Sequence, residues 1–212
     1  MKRQCVVVGG GGHAKVVIEV LRAQRACVPV AVTDPRPRGR DVLGVRIVGS
    51  DDAWPTLLKN GVKRFILGIG SVGDNRPRAT LFKRAVAAGL EPVTACHPSA
   101  VVSESARLGA GTLVAPQAAV NPEAAIGANC IINTAAVVEH DCIVGDHVHV
   151  CPGARLSGGV HVGEGAFIGA GAVIREGVRI GAWSVVGAGA VVLGNVAAKQ
   201  RVAGVPARSI KR

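Results

Sequence analysis

The sequence predicts two domains of different fold class, a Rossmann-like α/β domain in residues 1–96 and an all-β domain in residues 97–212. A strand, a glycine loop and a helix at the start of the chain indicate the first domain. A six-residue period that runs without a break from Val102 to Val192 indicates the second. A chain of 212 residues is long enough to hold two modest domains.

The glycine loop lies at the start of the α/β domain. Residues 5–8 form a continuous apolar run typical of a buried strand, Gly9–Gly12 follow, and residues 13–21 have a helical pattern. Four consecutive glycines fit the pattern G-x-G-x-x-G/A only loosely, because such a run satisfies many patterns. Bare glycines let a phosphate approach the backbone N–H groups at a helix N-terminus. The alternative is a tight turn that binds nothing.

Two later strands end beside polar or glycine residues. The run over residues 28–33 ends at Asp34, where a ribose-binding carboxylate would stand, and the run over 64–70 ends at Gly70. Ligands of open α/β sheets bind beyond the carboxyl ends of the strands. We therefore expect one crevice to be lined by Gly11, Gly12, His13, Asp34, Gly70 and Asn75.

The six-residue period places a branched aliphatic residue at every sixth position. The sixteen positions are Val102, Leu108, Val114, Val120, Ile126, Ile132, Val138, Val144, Val150, Leu156, Val162, Ile168, Ile174, Ile180, Val186 and Val192. The residue four further on is small each time, and the residue just after is often glycine, which we expect to occupy turns with positive φ. Because an amphipathic helix has a period of 3.6, the pattern instead predicts short strands with tight corners. Three such sides make one eighteen-residue coil of a triangular prism.

Composition and charge limit the classes of partner. The chain is 49% hydrophobic but only 2% aromatic, with a formal net charge of +11. Residues 1–100 contain sixteen Lys/Arg and seven Asp/Glu, against nine and seven in the remainder, so the first half favours anionic partners. Nucleic acid is not expected, because aromatic platforms for stacking bases are nearly absent. Phosphorylated small molecules fit better.

Cysteine usage and hydropathy predict a cytoplasmic protein. None of the six cysteines forms a CxxC pair, and Cys130 and Cys142 occupy small repeat positions, so we expect reduced, buried thiols. The apolar run after Met1 is too short for a signal peptide. The long uncharged stretches over 108–138 are interrupted by Gly, Pro and Asn, so membrane insertion is not expected.

His140 is the most informative residue of the repeat region. It stands two positions after an aliphatic residue, so its side chain should point away from the core, and Glu139 and Asp141 flank it. A neighbouring carboxylate can orient an imidazole and raise its basicity, as a general base requires. The alternative is a solvated surface histidine. A zinc site is disfavoured, because His149 lies nine residues from His140 and hence on the opposite side of the prism. The four histidines that suggest such a zinc site are His140, His147, His149 and His161.

The motifs together resemble the hexapeptide-repeat sugar acyltransferases, a family that includes sialic-acid O-acetyltransferase and the N-acetyltransferases acting on UDP-bacillosamine precursors and GDP-perosamine. The resemblance covers nearly the whole chain. The motifs that carry it are the glycine loop with His13, the His97-Pro98-Ser99-Ala100 segment, Asn133-Thr134, Glu139-His140-Asp141, His149 and Gly204-Val205-Pro206-Ala207. It implies that the prism is a left-handed parallel β-helix.

The resemblance also implies roles for the residues. The first domain would bind a nucleotide sugar, with His13 toward the phosphates or sugar and Asp34 toward the base or ribose. Three chains would form a homotrimer, with acetyl-CoA in the groove between two neighbours. His140 would be the general base, oriented by Asp141 or Glu139, and Asn133 would contact the sugar. The residues implied for the acetyl-CoA path are His149, Gly158, Ala170 and Ala188.

The implied activity is acetyl transfer from acetyl-CoA to the amino group of a nucleotide-linked amino sugar, in surface glycan synthesis and without a metal. Related family members acetylate hydroxyl groups, so sugar O-acetylation is the alternative. A non-catalytic nucleotide-binding module that trimerises through its β-helix is an alternative of another class, and a zinc hydratase is a third. The sequence does not distinguish UDP from GDP.

Overall fold

The structure is a computed structural model that describes residues 3–36 and 39–210. The α/β domain comes first in the chain. Its elements are β1 (Arg3–Val8), α1 (Gly12–Gln24), β2 (Cys27–Thr33), β3 (Asp41–Val42), β4 (Val45–Arg46), a 3-10 turn (Asp51–Ala53), α2 (Trp54–Lys59), β5 (Arg64–Leu67), α3 (Arg76–Ala87) and β6 (Glu91–Pro92). Strands β2, β1, β5 and β6 form a parallel sheet in that order, which confirms the predicted α/β class.

The repeat region forms a three-sided prism of short parallel strands. Its strands are β7 (Ala95–Cys96), β8 (Val101–Val102), β9 (Arg107–Leu108), β10 (Leu113–Val114), β11 (Ala119–Val120), β12 (Ala125–Ile126), β13 (Ile131–Ile132), β14 (Val137–Val138), β15 (Ile143–Val144), β16 (His149–Val150), β17 (Arg155–Leu156), β18 (His161–Val162), β19 (Phe167–Ile168), β20 (Val173–Ile174), β21 (Arg179–Ile180), β22 (Val185–Val186), β23 (Val191–Val192), β24 (Arg201–Ala203) and β25 (Arg208–Ser209). Every third strand from β7 to β23 stacks on the same face, β24 stacks on β22, and β25 pairs antiparallel with β24. We name the faces that begin with β7, β8 and β9 the first, second and third face.

The predicted inward residues fill the prism. The aliphatic residues from Val114 onward and most of the small residues four positions later are almost fully buried in one continuous cluster. Cys130 and Cys142 are fully buried in it, as expected, and all six cysteines are free. Strand β7 already pairs with β10, so the stacking begins at Ala95, just before the expected boundary between residues 96 and 97.

Glycine is required after the aliphatic residues for a different reason from the one expected. Gly109, Gly127, Gly145 and Gly163 do not have positive φ. A methyl group built on Gly109 would lie 2.4 Å from the carbonyl carbon of Gly127 in the next coil. The close approach of successive coils therefore requires these glycines. Positive φ occurs elsewhere in the corners, at Gly residues and at non-glycine residues such as Asp141 (φ 61°).

The α/β domain covers the outward side of the first face. Successive outward residues of this face are Ala95, Leu113 and Ile131, which pack with Ile18 and Leu21 of α1 in one apolar cluster. Removing these side chains from water stabilises the domain interface by about 25 cal/mol for each Å² of apolar surface. The next outward residue is His149, which is consequently buried as well. Within the described residues, no helix has the length and apolarity needed to cross a membrane.

Candidate active site

The glycine loop opens onto a cleft of about 1060 Å³ in the α/β domain. Gly9 (φ 102°) turns the chain after β1, and its N–H donates to Thr33 O at 2.7 Å. Methyl groups built on Gly11 and Gly12 would meet no atom within 4 Å. Gly11 caps this 13-residue helix without a side-chain hydrogen bond, and Gly11 and Gly12 at its N-terminus line the cleft. Together with the side chains of Lys15 and Arg36 in the cleft wall, this arrangement favours an anionic ligand.

Asp34 lines the same cleft and contacts the glycine loop. Its Oδ2 accepts from Gly10 N–H at 2.7 Å, and its Oδ1 accepts from Arg36 N–H at 2.7 Å. The carboxylate therefore fixes the loop after β1 to the loop after β2. Gly11, Gly12 and Asp34 line or border the same cleft, as the sequence predicts.

His13, Gly70 and Asn75 are not among the residues that line this cleft. The ring of His13 packs on Gly70, and its Nε2 is buried without a hydrogen-bond partner. Burial, followed by the charge of Arg78, lowers the pKa of His13 to about 4, so its imidazole is neutral. Asn75 is fully buried, and its Nδ2 donates to Gly165 O at 3.2 Å and to Ala166 O at 2.9 Å. The prediction that Asn75 lines the nucleotide crevice is therefore corrected, because the packing of α3 on the β-helix occupies its amide.

His140 and Asp141 form an exposed pair at the corner between the second and third faces. Asp141 Oδ2 lies 2.7 Å from His140 Nδ1, and the side chains are 61% and 66% exposed. The hydrogen bond to Asp141 raises the pKa of His140, and the charges of Asp141 and Glu139 add to this effect. Asp141 Oδ2 therefore fixes Nδ1–H, which leaves Nε2 free to accept a proton.

The predicted acetyl-CoA residues lie on two different edges of the prism. Gly158 stacks on His140 at the corner between the second and third faces. Ala170 and Ala188 are exposed at the corner between the first and second faces, where Gly189 N–H donates to Ala170 O at 2.8 Å. The two residues of each pair, His140 with Gly158 and Ala170 with Ala188, are eighteen positions apart and lie in successive coils. Because the two edges are separated by the whole second face, one chain alone does not bring all four residues into one groove.

Asn133 lies at the same corner as Ala170 and is bonded to His149. Its Nδ2 is 3.0 Å from His149 Nε2, and its Oδ1 accepts from Thr134 N–H at 2.8 Å. His149 is 5% exposed beneath the α/β domain. Burial, followed by the charges of Arg78 and His13, lowers the pKa of His149 to about 3, so this ring is neutral too.

The remaining histidines do not gather around one point. His147 is buried, with Nδ1 3.0 Å from Asn129 Nδ2, whereas His140 lies at the corner opposite the first face that carries His149. Over residues 3–36 and 39–210, no group of three or more His, Cys, Asp or Glu side chains is arranged to hold a metal ion.

Two polar residues of the domain interface, Ser71 and Arg78, were not predicted from the sequence. Ser71 Oγ lies 2.9 Å from His149 Nδ1, and the buried Arg78 donates from Nη2 to Asn129 Oδ1 at 2.8 Å. A serine in a loop and an arginine in a helix give no local signal, since their partners lie about fifty to eighty residues further along the chain.

Both domains match known protein families. Residues 4–85 match the family described as PglD N-terminal domain, and residues 159–194 match the family described as bacterial transferase hexapeptide (six repeats). Over 118 residues the chain is 38% identical to UDP-N-acetylbacillosamine N-acetyltransferase of Bacillus subtilis. That match covers 53% of this chain and 51% of the relative, so it spans about half of the relative's length.

Solved structures match over nearly the whole chain. The fold superposes with a TM-score of 0.93 on a histidine-to-asparagine variant of perosamine N-acetyltransferase from Caulobacter crescentus in complex with CoA and GDP-perosamine. The two are 47% identical, and the match covers 99% of this chain and 97% of the relative. The fold also superposes with a TM-score of 0.91 on the acetyltransferase domain of PglB from Neisseria gonorrhoeae. The two are 35% identical, and the match covers 99% of this chain and 100% of that domain. The fold is thus a Rossmann-like domain followed by a left-handed β-helix.

Proposed function

Because this chain belongs to the hexapeptide-repeat sugar acyltransferase family, we propose that it transfers an acetyl group from acetyl-CoA to the amino group of a nucleotide-linked 4-amino sugar. The observation that carries the proposal is the His140–Asp141 pair, exposed at a corner of a fold shared with an N-acetyltransferase that binds CoA and GDP-perosamine. The nucleotide would lie in the cleft at Gly11, Gly12 and Asp34, where helix N–H groups and cationic side chains meet the diphosphate.

The proposed reaction is a direct transfer. The neutral amine attacks the thioester carbonyl carbon, a C–N bond forms, and Nε2 of His140 accepts the amine proton. Collapse of the tetrahedral adduct breaks the C–S bond, and the imidazolium returns the proton to the CoA thiolate. Asp141 holds the ring and stabilises its cationic form. Backbone N–H groups in the groove would stabilise the oxyanion.

A thiol nucleophile is not required for this reaction. Burial raises the pKa of Cys130 and of Cys151 to about 12, so these thiols stay protonated at neutral pH. Binding both substrates in one groove supplies the proximity that a direct transfer needs.

We propose a homotrimer in which each site is shared by two chains. The separation of the edges supports this arrangement, because His140 and Gly158 lie on one edge whereas Asn133, Ala170 and Ala188 lie on another. A neighbouring copy would place its first–second edge against the edge that carries His140. Acetyl-CoA would then run between the two prisms.

The proposal is tested by measuring free CoA released from acetyl-CoA, with UDP- and GDP-linked 4-amino sugars offered in turn and GDP-perosamine first. We expect release that depends on one amino sugar and is lost in His140→Ala, which should keep its fold and oligomeric state. Release with a hydroxy sugar but with no amine would favour O-acetylation. No release with any acceptor would favour a nucleotide-binding module without catalytic activity.

A further inference from the structure

A continuous chain of hydrogen bonds crosses the interface between the two domains. Asn75 at the start of α3 is bonded to Ser71 in the loop after β5, and Ser71 Oγ lies 2.9 Å from His149 Nδ1. His149 Nε2 lies 3.0 Å from Asn133 Nδ2. The chain thus begins in the α/β domain and ends at the corner of the β-helix that carries Asn133.

The buried end at Asn75 sets the direction of every bond. Two carbonyl oxygens, Gly165 O and Ala166 O, lie within hydrogen-bond distance of the same amide atom of Asn75. Carbonyl oxygens only accept, so this atom is Nδ2 and the amide oxygen faces Ser71. The Ser71 hydroxyl then donates to Asn75 Oδ1 and accepts from His149.

His149 is consequently held in one tautomer. A ring that donates to Ser71 carries its proton on Nδ1, and because the ring is neutral its Nε2 accepts from Asn133 Nδ2. The side-chain oxygen of Asn133 accepts from Thr134 N–H. One N–H of the Asn133 amide is therefore used by His149 and the other remains free at the partly exposed corner.

The neighbouring histidine has the opposite tautomer for a parallel reason. Arg78 donates to Asn129 Oδ1 at 2.8 Å, which turns Asn129 Nδ2 toward His147 Nδ1 at 3.0 Å. Nδ1 of His147 therefore accepts, and its proton lies on Nε2. Both histidines are buried, and residues of the α/β domain determine the proton position in each.

We propose that Ser71 and Asn75 are positioning residues that set the tautomer of His149 and thereby hold the Asn133 amide with one N–H directed to the bound substrate. The part of this inference that concerns turnover rests on the proposed acetyl transfer. A substrate oxygen, either of the sugar or of the acetyl group, is the chemistry that this donor would recognise. The α/β domain would thus contribute to the reaction site as well as to nucleotide binding.

Neutron diffraction of deuterium-exchanged crystals tests the proton positions directly. We expect a deuteron on Nδ1 of His149 and none on its Nε2, with His147 as an internal reference that carries its deuteron on Nε2. In Ser71→Ala, Nδ1 of His149 loses its acceptor, so we expect the deuteron on Nε2 and a rotated Asn133 amide, with His147 unchanged. A deuteron on Nε2 of His149 in the unsubstituted protein would overturn the proposal.

Kinetics separate positioning from a merely structural role. We expect Ser71→Ala to lower kcat by about tenfold, the effect of one lost hydrogen bond, with little change in KM for the nucleotide sugar. Tm should fall as well, because Oδ1 of the buried Asn75 loses its donor. Ser71→Thr keeps the hydroxyl and should restore kcat. Ser103→Ala, which removes a hydroxyl bonded only to Ser105 at 3.1 Å and to Ser105 N–H, is the matched control and should leave kcat unchanged.

Two results distinguish failure of the inference from failure of the proposed function. An unchanged kcat in Ser71→Ala, in a protein that does acetylate an amino sugar, would refute the positioning role. Proton positions as expected, in a protein that releases no CoA with any acceptor, would refute the proposed function and still support the hydrogen-bonded chain as the determinant of the Asn133 amide.

Discussion

The imidazole ring of His140 lies directly over the Cα atom of Gly158, one coil further along the prism. A methyl group built on Gly158 would stand 2.7 Å from both Cε1 and Nε2 of His140, closer than real side chains approach. Gly158 has no positive φ, so its backbone would accept any L residue. The glycine is therefore needed for the ring and not for the turn.

We expect Gly158→Ala to displace the His140 ring and to lower kcat by about a hundredfold, because a shift of about 1 Å in a reacting group has an effect of that order. Tm should change little, since the ring can move into solvent. Steady-state kinetics and thermal unfolding measure the two quantities. Gly194→Ala, at the corresponding corner two coils further on, meets no atom within 4 Å and is the matched control. Equal kinetics in both variants would contradict the positional role.

Asp141 should determine the acidic limb of the pH–rate profile. Its hydrogen bond raises the pKa of His140, and a general base must be unprotonated, so kcat/KM should fall as the pH falls through this raised pKa. Asp141→Asn removes the carboxylate and should move the inflection to lower pH, with a lower plateau. Glu139→Gln removes only a more distant charge and should move it less. A larger shift in Glu139→Gln would identify Glu139 as the orienting acid.

A shared site predicts complementation between two inactive variants. We expect His140→Ala and Asn133→Ala each to have little activity as homo-oligomers. In co-expressed hybrid trimers that contain both variants, about a third of the normal activity should return, because one of the three interfaces has both residues intact. The purified hybrid, selected through two different tags, supplies the measurement. No recovery would place both residues of each site in the same chain.

Acid should destabilise the fold through its buried neutral histidines. The folded-state pKa is lowered from 6.5 to about 4 for His13 and to about 3 for His149, so the unfolded chain binds these protons first. Stability should therefore fall as the pH drops from 6.5 toward 3, by at most about 1.4 kcal/mol per pH unit for each histidine. His149→Gln should make the dependence of unfolding free energy on pH shallower. His97→Gln, at a partly exposed turn, is the control for the loss of one histidine.

Asp34 should matter for nucleotide binding through the shape of the glycine loop. Both of its oxygens accept backbone N–H groups, at Gly10 and at Arg36, and Asp34→Ala would leave both donors unpaired. We expect about a tenfold increase in the Kd of the nucleotide sugar by calorimetry. Asp52→Ala, whose carboxylate is bonded to Ser50, is the control because it lies outside the cleft. An unchanged Kd in Asp34→Ala would show that the carboxylate does not contribute to nucleotide binding.

The sequence was informative wherever a residue's environment depends on near neighbours in the chain. The period of six predicted which residues point inward from Val114 to Val192, since each coil repeats the same local geometry. The sequence also placed two carboxylates, Glu139 and Asp141, beside His140, and the structure has the hydrogen bond at Asp141. The prediction was wrong for the glycines after the aliphatic residues, because the contact that requires them comes from another coil.

The sequence by itself determined the two domains, the inward face of each coil, the glycine loop and the exposed histidine with its carboxylate, because these follow from local periodicity and spacing. Only the tertiary structure decided that Asn75 serves the domain interface, that Ser71 and His149 are bonded across it, and that His140 rests on Gly158. The contacts of Asn75 and Ser71 join residues 91 and 78 positions apart, and they depend on the surfaces that the packing of the α/β domain on the first face brings together. The contact of His140 with Gly158 depends instead on the stacking of successive coils.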